Sequence, residues 1–242
     1  RLPGRRAIGH TRYSTAGTSV IANAQPIVVK TSLGPLGIVH NGNLTNAVEI
    51  RQELEDAGAI FQTTSDTEVI LHLMARKPRK DIVESFMLAL EEVRGAYSLL
   101  VNTDSCLIAA RDPNGFRPLV LGDLDGCPCF ASESCAFDLL GARAVRELEP
   151  GEVIVSRDRK LESFHLPKAQ PARCIFEHVY FARPDSTLGG AEVHGVRVRM
   201  GERLAAEAPA EADLVMPIPD SGTPAAVGFS RASGIPYSEG LI

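Results

Sequence analysis

The chain has 242 residues, of which 44% are hydrophobic and 23% are charged, so it can bury a large core in one or two domains. A formal net charge of -5 leaves no basic surface of the kind that binds nucleic acid. No apolar run approaches the roughly 18 residues of a membrane span, and no signal-peptide pattern opens the sequence. We therefore expect neither a nucleic-acid partner nor a membrane partner.

The five cysteines are an odd number in a long chain. This count favours a reduced, cytoplasmic setting over a disulfide framework. The sequence begins at Arg1 rather than at an initiator Met and closes on the apolar pair Leu241-Ile242. We expect an internal fragment of a longer protein.

Two polar motifs lie near the start of the chain, at Gly9–Thr15 and His40–Asn43. The apolar runs Ile27–Val29 and Leu36–Val39 lie between them, bounded by Gly and Pro, and predict two strands. Each motif is therefore expected near a strand end, where its polar groups can face a pocket.

The residue types in these motifs indicate acyl transfer from an amino acid. Arg12 offers a planar fork of donors that matches a carboxylate in bidentate fashion. Asn41 supplies an amide donor, and Gly42 supplies a backbone N–H that no side chain shields. Together, the latter two donors can stabilise a developing oxyanion. Neither motif contains a nucleophile.

Capping patterns predict the helices that follow. Asn46 and Glu49 have capping-box spacing, and Gly58 is placed to end that helix. Apolar residues at helical spacing predict a further helix over Asp81–Val93.

A second capping box, Ser65 with Glu68, predicts a helix whose first turn contains Asp66. The Asp66 carboxylate has two interpretations. It can complement the helix dipole, or it can bind the ammonium group of a substrate. The residues alone leave both open.

After Gly95 the pattern changes to consecutive short strands with hairpin turns. The predicted strands are Ala96–Val101, Leu107–Ala110, Pro118–Leu121, Phe130–Ser132, Val153–Ser156 and Lys160–Phe164. Helices followed by hairpins predict antiparallel sheets with helices packed outside, an α+β fold.

The composition shifts at 166–172, which predicts a linker. A helix is expected around Val196–Leu204. Asp213–Pro219 then predicts a buried strand, Ser221 lies in a small-residue loop, and Pro224 opens another helix. A strand, a loop and a helix in this order can hold an anion at the helix N-terminus.

With these motifs in view, the chain resembles the glutamine-dependent amidophosphoribosyltransferases of purine synthesis over essentially its whole length. The motifs shared with other glutamine amidotransferases are Gly9–Thr15, His40–Asn46 and Ser65–Ile70, and more loosely Arg111–Leu119 and Ala131–Ala136. The motifs specific to this family are Cys174–Ser186 and Pro217–Gly222.

The resemblance implies an N-terminal-nucleophile hydrolase-type αββα sandwich followed by the start of an α/β phosphoribosyltransferase domain. The expected domains are an N-terminally incomplete glutaminase domain at 1–165, and a linker with a C-terminally incomplete phosphoribosyltransferase domain at 166–242.

The resemblance also assigns roles to individual residues. Arg12 is expected to bind the glutamine α-carboxylate and Asp66 its ammonium group, with Thr15 beside that pocket. Asn41 and Gly42 are expected to form the oxyanion hole.

In this family the nucleophile is a cysteine at the mature N-terminus, whose α-amine acts as the base. The first cysteine of this chain is Cys106, and the family's main phosphoribosyl-pyrophosphate loop is also expected beyond Ile242. We therefore expect the fragment itself to be inactive. The intact enzyme is expected to use L-glutamine and 5-phosphoribosyl 1-pyrophosphate, with Mg²⁺, as a homotetramer under purine-nucleotide feedback.

Two metal assignments come from the resemblance. Cys174 corresponds to one of four ligands of a [4Fe-4S] cluster in one subgroup, although a lone cysteine before an aromatic strand, as this segment is expected to form, is most often a small buried hydrophobe. Ser221 corresponds to a position linked to magnesium, with a plain helix-capping loop as an equal alternative. Cys127, Cys129 and Cys135 lack a fourth zinc ligand at a usual spacing and are expected to be core residues.

Two other functions remain open. A glutamine amidotransferase with a different sugar-phosphate acceptor would share the first motifs. A non-catalytic module that binds glutamine or phosphate would suit the chain if Arg1 were its true start.

Overall fold

The computed structural model describes residues 4–12, 20–167 and 169–241. The α-helices are α1 (Ala47–Asp56), α2 (Glu68–Arg76), α3 (Ile82–Glu92), α4 (Cys135–Leu140), α5 (Val193–Glu207) and α6 (Thr223–Ser233). The strands are β1 (Ile27–Thr31), β2 (Gly34–Leu44), β3 (Gly95–Thr103), β4 (Leu107–Arg111), β5 (Val120–Leu124), β6 (Cys127–Ala131), β7 (Arg143–Glu147), β8 (Glu152–Arg157), β9 (Lys160–His165), β10 (Thr187–Leu188) and β11 (Ala191–Glu192). A 3₁₀ turn at Ile21–Asn23 and a π-helical turn at Glu177–Phe181 complete the elements found in these residues.

The chain forms two compact units. The first comprises Arg1–Leu119, Gly126–Ser132 and Leu148–Arg173, and the second comprises Val120–Asp125, Glu133–Glu147 and Cys174–Ile242. The domain boundary expected between residues 165 and 166 stays a prediction.

The first unit is built on a six-stranded sheet in the order β1-β2-β3-β4-β8-β9. Its neighbouring strands pair in antiparallel fashion. Apolar residues of α1, α2 and α3 share one buried cluster with residues of this sheet. The largest fully buried side chains of the cluster are Tyr97, Phe86, Ile38, Ile70, Leu73, Leu99 and Ile108. The expected α+β class with antiparallel sheets is confirmed.

The three helices lie where the apolar spacing predicts them, but neither of the two predicted capping boxes forms. Asp81 caps α3 through its carboxylate, which accepts a hydrogen bond from the N–H of Val83 (3.1 Å). Asn46 makes no cap bond at α1. Its amide instead bonds the carbonyl of Glu92 (3.0 Å) and the N–H of Arg94 (2.8 Å), because these groups at the end of α3 also need partners.

The predicted capping box at α2 is also replaced by other contacts. The Glu68 carboxylate accepts bonds from the N–H of Gln62 (2.9 Å) and from the N–H and hydroxyl of Thr63 (both 2.7 Å). It therefore anchors the loop before the helix. The helix begins at Glu68, so Asp66 precedes it rather than lying in its first turn.

The second unit contains two helices that approach each other closely through glycines. A Cβ atom at Gly201 of α5 would overlap the carbonyl oxygen of Ala225, and one at Gly228 of α6 would overlap that of Val198. These glycines let the two backbones meet. The expected helix around Val196–Leu204 and the helix start near Pro224 are confirmed.

Two expectations for the second unit are wrong. Asp213–Pro219 is not a buried strand, because only Val215 pairs, through a single parallel bridge to Tyr237, and Met216 and Ile218 are exposed. A parallel strand needs neighbours, and the described residues supply one partner only at this point. The aromatic segment after Cys174 is a π-helical turn rather than a strand.

The sequence patterns missed the helix α4, the strands β7, β10 and β11, and the 3₁₀ turn at Ile21–Asn23. The helix α4 has only six residues, too few for a helical period to emerge. The strand β7 is exposed along most of its length, and pairing with β5 defines it. Among the described residues, none of the helices is both long enough and apolar enough to cross a membrane.

Candidate functional site

The second polar motif occupies the carboxyl-terminal half of β2. This strand pairs with β3 without interruption from Leu36 to Leu44, so that Asn41 lies opposite Ser98 and Gly42 opposite Tyr97. Because side chains alternate along a strand, His40 and Asn41 point to opposite faces of the sheet. The two faces therefore gather different partners, and the described contacts do not bring the Asn41 amide and the Asp66 carboxylate to one face.

Asp66 lies on the His40 side of the strand. One carboxylate oxygen accepts a hydrogen bond from the N–H of Leu44 (2.8 Å), and the other lies 3.6 Å from Nδ1 of His40. Burial acts to raise the pKa of Asp66, but the bonds and charge from His40 and the N–H of Leu44 and Thr67 outweigh it, so the pKa is lowered. Asp66 is therefore an ionised carboxylate at the end of β2.

His40 is buried, and hydrogen bonds hold its ring and backbone. Nδ1 lies 3.1 Å from the Thr67 hydroxyl and Nε2 lies 3.4 Å from the carbonyl oxygen of Ala96. Its backbone N–H donates to the side-chain oxygen of Gln25 (2.6 Å). These contacts fit a structural residue that orients Asp66 and Thr67.

The charges of Arg12 and His40 both act on His10. Burial, then the charges of His40 and Arg12, lower the pKa of His10. His10 therefore lies within electrostatic reach of both residues, and His40 in turn contacts Asp66. Thr15, the remaining predicted residue of the pocket, lies outside the described residues.

Both polar atoms of the Asn41 side-chain amide make hydrogen bonds. The side-chain oxygen accepts two bonds from the Arg117 guanidinium, at 3.2 Å from Nε and 2.7 Å from Nη2. The side-chain nitrogen donates to the hydroxyl of Ser132 (3.1 Å). An Asn amide with both ends bonded has one orientation rather than two.

The loop that carries Arg117 is itself rigidly bonded. Asp112 has no exposed surface, and its carboxylate accepts bonds from the N–H groups of Tyr97, Asn114, Phe116 and Arg117, at 3.0–3.2 Å. The buried Arg111 guanidinium donates to the carbonyl oxygens of Arg117, Leu148 and Gly115, at 2.6–3.0 Å.

A further bond joins this loop to the strand next to Asn41. Ser98, the cross-strand neighbour of Asn41, donates its hydroxyl to the carbonyl of Pro118 (2.8 Å). The loop is therefore fixed relative to the strand pair that carries the predicted oxyanion donors.

Gly42 occupies a position that no other residue can take without strain. Its φ is +155°, and a Cβ there would overlap the carbonyl oxygen of Ala96 and lie 2.7 Å from Nε2 of His40. Only glycine permits this close approach of strand and neighbours. The sequence requirement at this point of the motif is therefore steric as well as chemical.

A cavity of about 830 Å³ borders β1 and α2, with Glu68 and His72 in its wall. Neither Asn41 nor Asp66 lines it. This cavity is therefore not formed by the residues that the motifs select.

The two predicted metal positions lie in the second unit. Cys174 is exposed, and Ser221 lies in the turn before α6. Within the described part of the chain, no group of three or more His, Cys, Asp or Glu residues is arranged to hold a metal ion. The described residues thus surround neither position with three or more such ligands.

Sequence reasoning missed the roles of Arg117 and Ser132. Both belong to segments that the resemblance identified, Arg111–Leu119 and Ala131–Ala136, but nothing in the local pattern shows what they contact. Arg117 lies 76 residues from Asn41 and Ser132 lies 91 residues from it. The motifs that contain both residues could be recognised in the sequence, but their contacts with Asn41 could not.

Comparison with known proteins identifies the family to which these motifs belong. Residues 10–138 match a family model described as a glutamine amidotransferase domain. The whole chain is 49% identical to an amidophosphoribosyltransferase of Rhizobium etli and covers 50% of it. It is 48% identical to amidophosphoribosyltransferase 1, chloroplastic, of Arabidopsis thaliana, covering 43% of it. The chain therefore spans about half the length of the curated relatives it matches.

A solved structure agrees with the sequence relatives. The glutamine phosphoribosylpyrophosphate amidotransferase of B. subtilis, complexed with ADP and GMP, superimposes with a TM-score of 0.91 at 42% identity. The match covers 96% of this chain and 51% of that one. The expected fold is confirmed by this likeness.

Proposed function

We propose, from the premise that this chain belongs to the family of glutamine amidotransferase domains, that it is part of an amidophosphoribosyltransferase. The intact protein transfers ammonia derived from L-glutamine to 5-phosphoribosyl 1-pyrophosphate, the first committed step of purine (IMP) synthesis. The observation that carries the proposal is the 45–49% identity, over the full chain, to amidophosphoribosyltransferases of bacteria, archaea and plants.

The glutaminase step uses the first unit. A cysteine thiolate at the mature N-terminus, assigned from the resemblance, attacks the side-chain carbonyl carbon of glutamine. The carbonyl oxygen becomes an oxyanion, ammonia leaves with the proton that the terminal amine returns, and a thioester remains. Water then hydrolyses the thioester to glutamate and restores the thiol.

This chain supplies the binding and electrostatic parts of that step. Arg12 pairs with the glutamine α-carboxylate and the ionised Asp66 pairs with its ammonium group, with Thr15 beside them. The Asn41 amide and the Gly42 N–H stabilise the oxyanion, which is the type of contribution that enzymes most depend on. The rigid bonding of Asn41 supports this assignment because a preorganised donor need not reorient during the reaction.

The acceptor step takes place beyond the glutaminase unit. Ammonia attacks C1 of 5-phosphoribosyl 1-pyrophosphate, pyrophosphate leaves, and 5-phosphoribosylamine forms. A shared chain keeps ammonia from escaping to water between the two sites.

The proposed metals fit this chain only in part. An iron–sulfur cluster of this type needs four thiolates, and the exposed Cys174 can supply one. Ser221 can supply one hydroxyl to Mg²⁺, which prefers an octahedral oxygen environment. The described residues complete neither set, so no step is assigned to either metal. Loss of bound iron from the whole protein on Cys174→Ser tests the cluster.

A cytoplasmic location and a homotetrameric assembly belong to the same proposal. Among the described residues, none of the five cysteines forms a disulfide bond, which supports a reducing compartment. The tetramer rests on the resemblance, and light scattering of the whole protein measures it directly.

Arg12→Ala in the full-length protein tests the proposed function. The KM for glutamine should rise about tenfold or more, because charge-assisted hydrogen bonds to the carboxylate are lost. The rate with free ammonia should be preserved. The exposed Arg5 lies in the same segment, and Arg5→Ala serves as the matched control with both rates unchanged.

Two outcomes would contradict parts of the proposal. Equal loss of both rates in Arg12→Ala would make Arg12 structural and remove the carboxylate clamp. Failure of the unmutated protein to form phosphoribosylamine from ammonia would point to a different sugar-phosphate acceptor, and failure to hydrolyse glutamine at all would leave a binding module.

A further inference from the structure

The orientation of the Asn41 amide decides whether it can serve an oxyanion. A carboxamide has one face that accepts hydrogen bonds and one that donates, and the two are nearly equal in shape. A rotation of 180° about the last side-chain bond would present the oxygen in place of the NH₂ group. An oxygen facing an oxyanion repels it, so a freely rotating Asn is a poor donor.

Arg117 removes this ambiguity. Its guanidinium carries donors only, and two of its nitrogens lie 2.7 Å and 3.2 Å from the side-chain oxygen of Asn41. The flipped amide would place its NH₂ group against these N–H groups. The guanidinium therefore selects the orientation in which the oxygen faces Arg117.

Ser132 uses only part of the donor capacity that this orientation creates. The amide nitrogen has two hydrogens, and one of them points to the Ser132 hydroxyl at 3.1 Å. Since the amide is planar and its oxygen is fixed, the direction of the second hydrogen is fixed too. This second N–H is the one available to a substrate.

The backbone of Arg117 is held by bonds that do not involve Asn41. Its backbone N–H donates to the fully buried Asp112 carboxylate (3.2 Å), and its carbonyl accepts from Nε of Arg111 (2.8 Å). Arg117 therefore projects from a loop that is already bonded. A charged donor on the amide oxygen also draws electron density from the nitrogen, which strengthens the remaining N–H as a donor.

We propose that Arg117 is a positioning residue for glutamine hydrolysis, which acts through Asn41 by fixing and polarising the amide that faces the oxyanion. This inference rests on the proposed function and deepens it, because it names a residue that touches neither glutamine nor the nucleophile.

A double-mutant cycle in the full-length protein tests the inference. Asn41→Ala should lower the glutaminase kcat by roughly 100- to 1,000-fold, as expected for the loss of one oxyanion donor. Arg117→Ala should lower it by roughly 10- to 100-fold, with a smaller change in the glutamine KM. The double variant should be no slower than Asn41→Ala alone.

Arg117→Lys separates orientation from charge. Lysine keeps the positive charge but lacks the planar fork that makes two bonds, so its kcat should fall between those of the wild type and Arg117→Ala. Arg143→Ala is the matched control, because Arg143 is 74% exposed in its side chain, and its kcat should be unchanged. If Arg117→Ala does not fold, the Lys variant carries the same comparison.

A transition-state analogue provides a readout that a merely structural role would not change. Glutamate γ-semialdehyde forms a hemithioacetal when the catalytic thiol adds across its C=O bond, and its oxygen then occupies the oxyanion position. Arg117→Ala should weaken this inhibitor by about the same factor as kcat and leave the inhibition constant of glutamate unchanged.

The outcomes distinguish the role of Arg117 from the oxyanion role of Asn41, on which it depends. If Asn41→Ala folds and retains kcat, the oxyanion assignment itself is wrong. If Asn41→Ala loses kcat while Arg117→Ala retains it, or if the two losses multiply in the double variant, only the role of Arg117 is overturned. Equal weakening of glutamate and the aldehyde would also overturn it and make Arg117 structural.

Discussion

The strand around Asn41 and the segment from Leu214 to Ser221 both carry predicted ligand residues, but they hold their polar groups differently. Both ends of the Asn41 amide are bonded, and the loop that holds it is fixed by a fully buried carboxylate. In the other segment Leu214, Met216 and Ile218 are exposed, and Val215 makes one bridge.

This difference shows when a geometry can support a chemical role. A donor that is held by partners within its own unit is preorganised, so it can stabilise a developing charge without first reorienting. A lone hydroxyl or thiol, such as those of Ser221 and Cys174, depends on ligands that these residues do not supply. Four substitutions in the full-length protein test this contrast, from the largest expected effect to the smallest.

Gly42→Ala should have the largest effect. Its Cβ would overlap a backbone carbonyl at a positive φ, so we expect a loss of roughly 3 kcal/mol in the free energy of unfolding and of most glutaminase activity. Urea unfolding measures the first. Gly58→Ala is the control, because Gly58 has a φ of +93° with nothing within 4 Å of its Cβ, and should cost about 1 kcal/mol. Similar losses at both sites would contradict the steric argument.

Asp112→Asn should follow. The substitution replaces a carboxylate that accepts four backbone N–H bonds by an amide with one acceptor, which should cost about 2 kcal/mol. Asp56→Asn, at an exposed position at the end of α1, should change the unfolding free energy by less than about 0.5 kcal/mol. An equally small change at Asp112 would show that the loop is not held by its carboxylate.

Asp66→Asn should remove a pH-dependent contribution. The pKa of Asp66 is lowered from 3.8 in the folded protein, so its stabilisation is fully present above pH 3.8 and is lost as the pH falls through the folded pKa. The variant should be about 1.5 kcal/mol less stable at pH 7. That difference should shrink in acid, as measured by urea unfolding from pH 7 downward. A constant difference across this range would contradict the assigned charge.

Ser221→Ala should have the smallest effect, within about 0.5 kcal/mol, because the turn before α6 gives the hydroxyl no described side-chain bond. Ser98→Ala is the matched control from the Asn41 region. It removes a buried hydroxyl that donates to the carbonyl of Pro118, and should cost about 1 kcal/mol. A larger loss of unfolding free energy for Ser221→Ala than for Ser98→Ala would contradict the view that the Asn41 region holds its polar groups more firmly.

The local sequence pattern was sufficient to predict most helices and strands of the first unit, but not the contacts that cap the helices. Apolar spacing correctly predicted α1, α2 and α3, because a helical period reflects burial on one face. Short apolar runs bounded by turn residues correctly predicted the strands of the sheet, including the exposed β9. The caps at Asn46 and Glu68 failed because each side chain found partners that folding brings close, Glu92 and Arg94 for one, Gln62 and Thr63 for the other.

The sequence by itself determined the fold class, the strand that leads into Asn41 and Gly42, and the resemblance of its motifs to a glutamine site, whereas the extension of that strand through both residues to Leu44 appears only in the structure. Only the tertiary structure decided that Arg117 faces the Asn41 oxygen, that Asp112 holds the loop behind it, and that Asp213–Pro219 is not a strand. The reason is physical: periodicity and turn chemistry act between near neighbours, whereas the partner of a polar side chain is chosen among groups that meet only when distant segments close on one another.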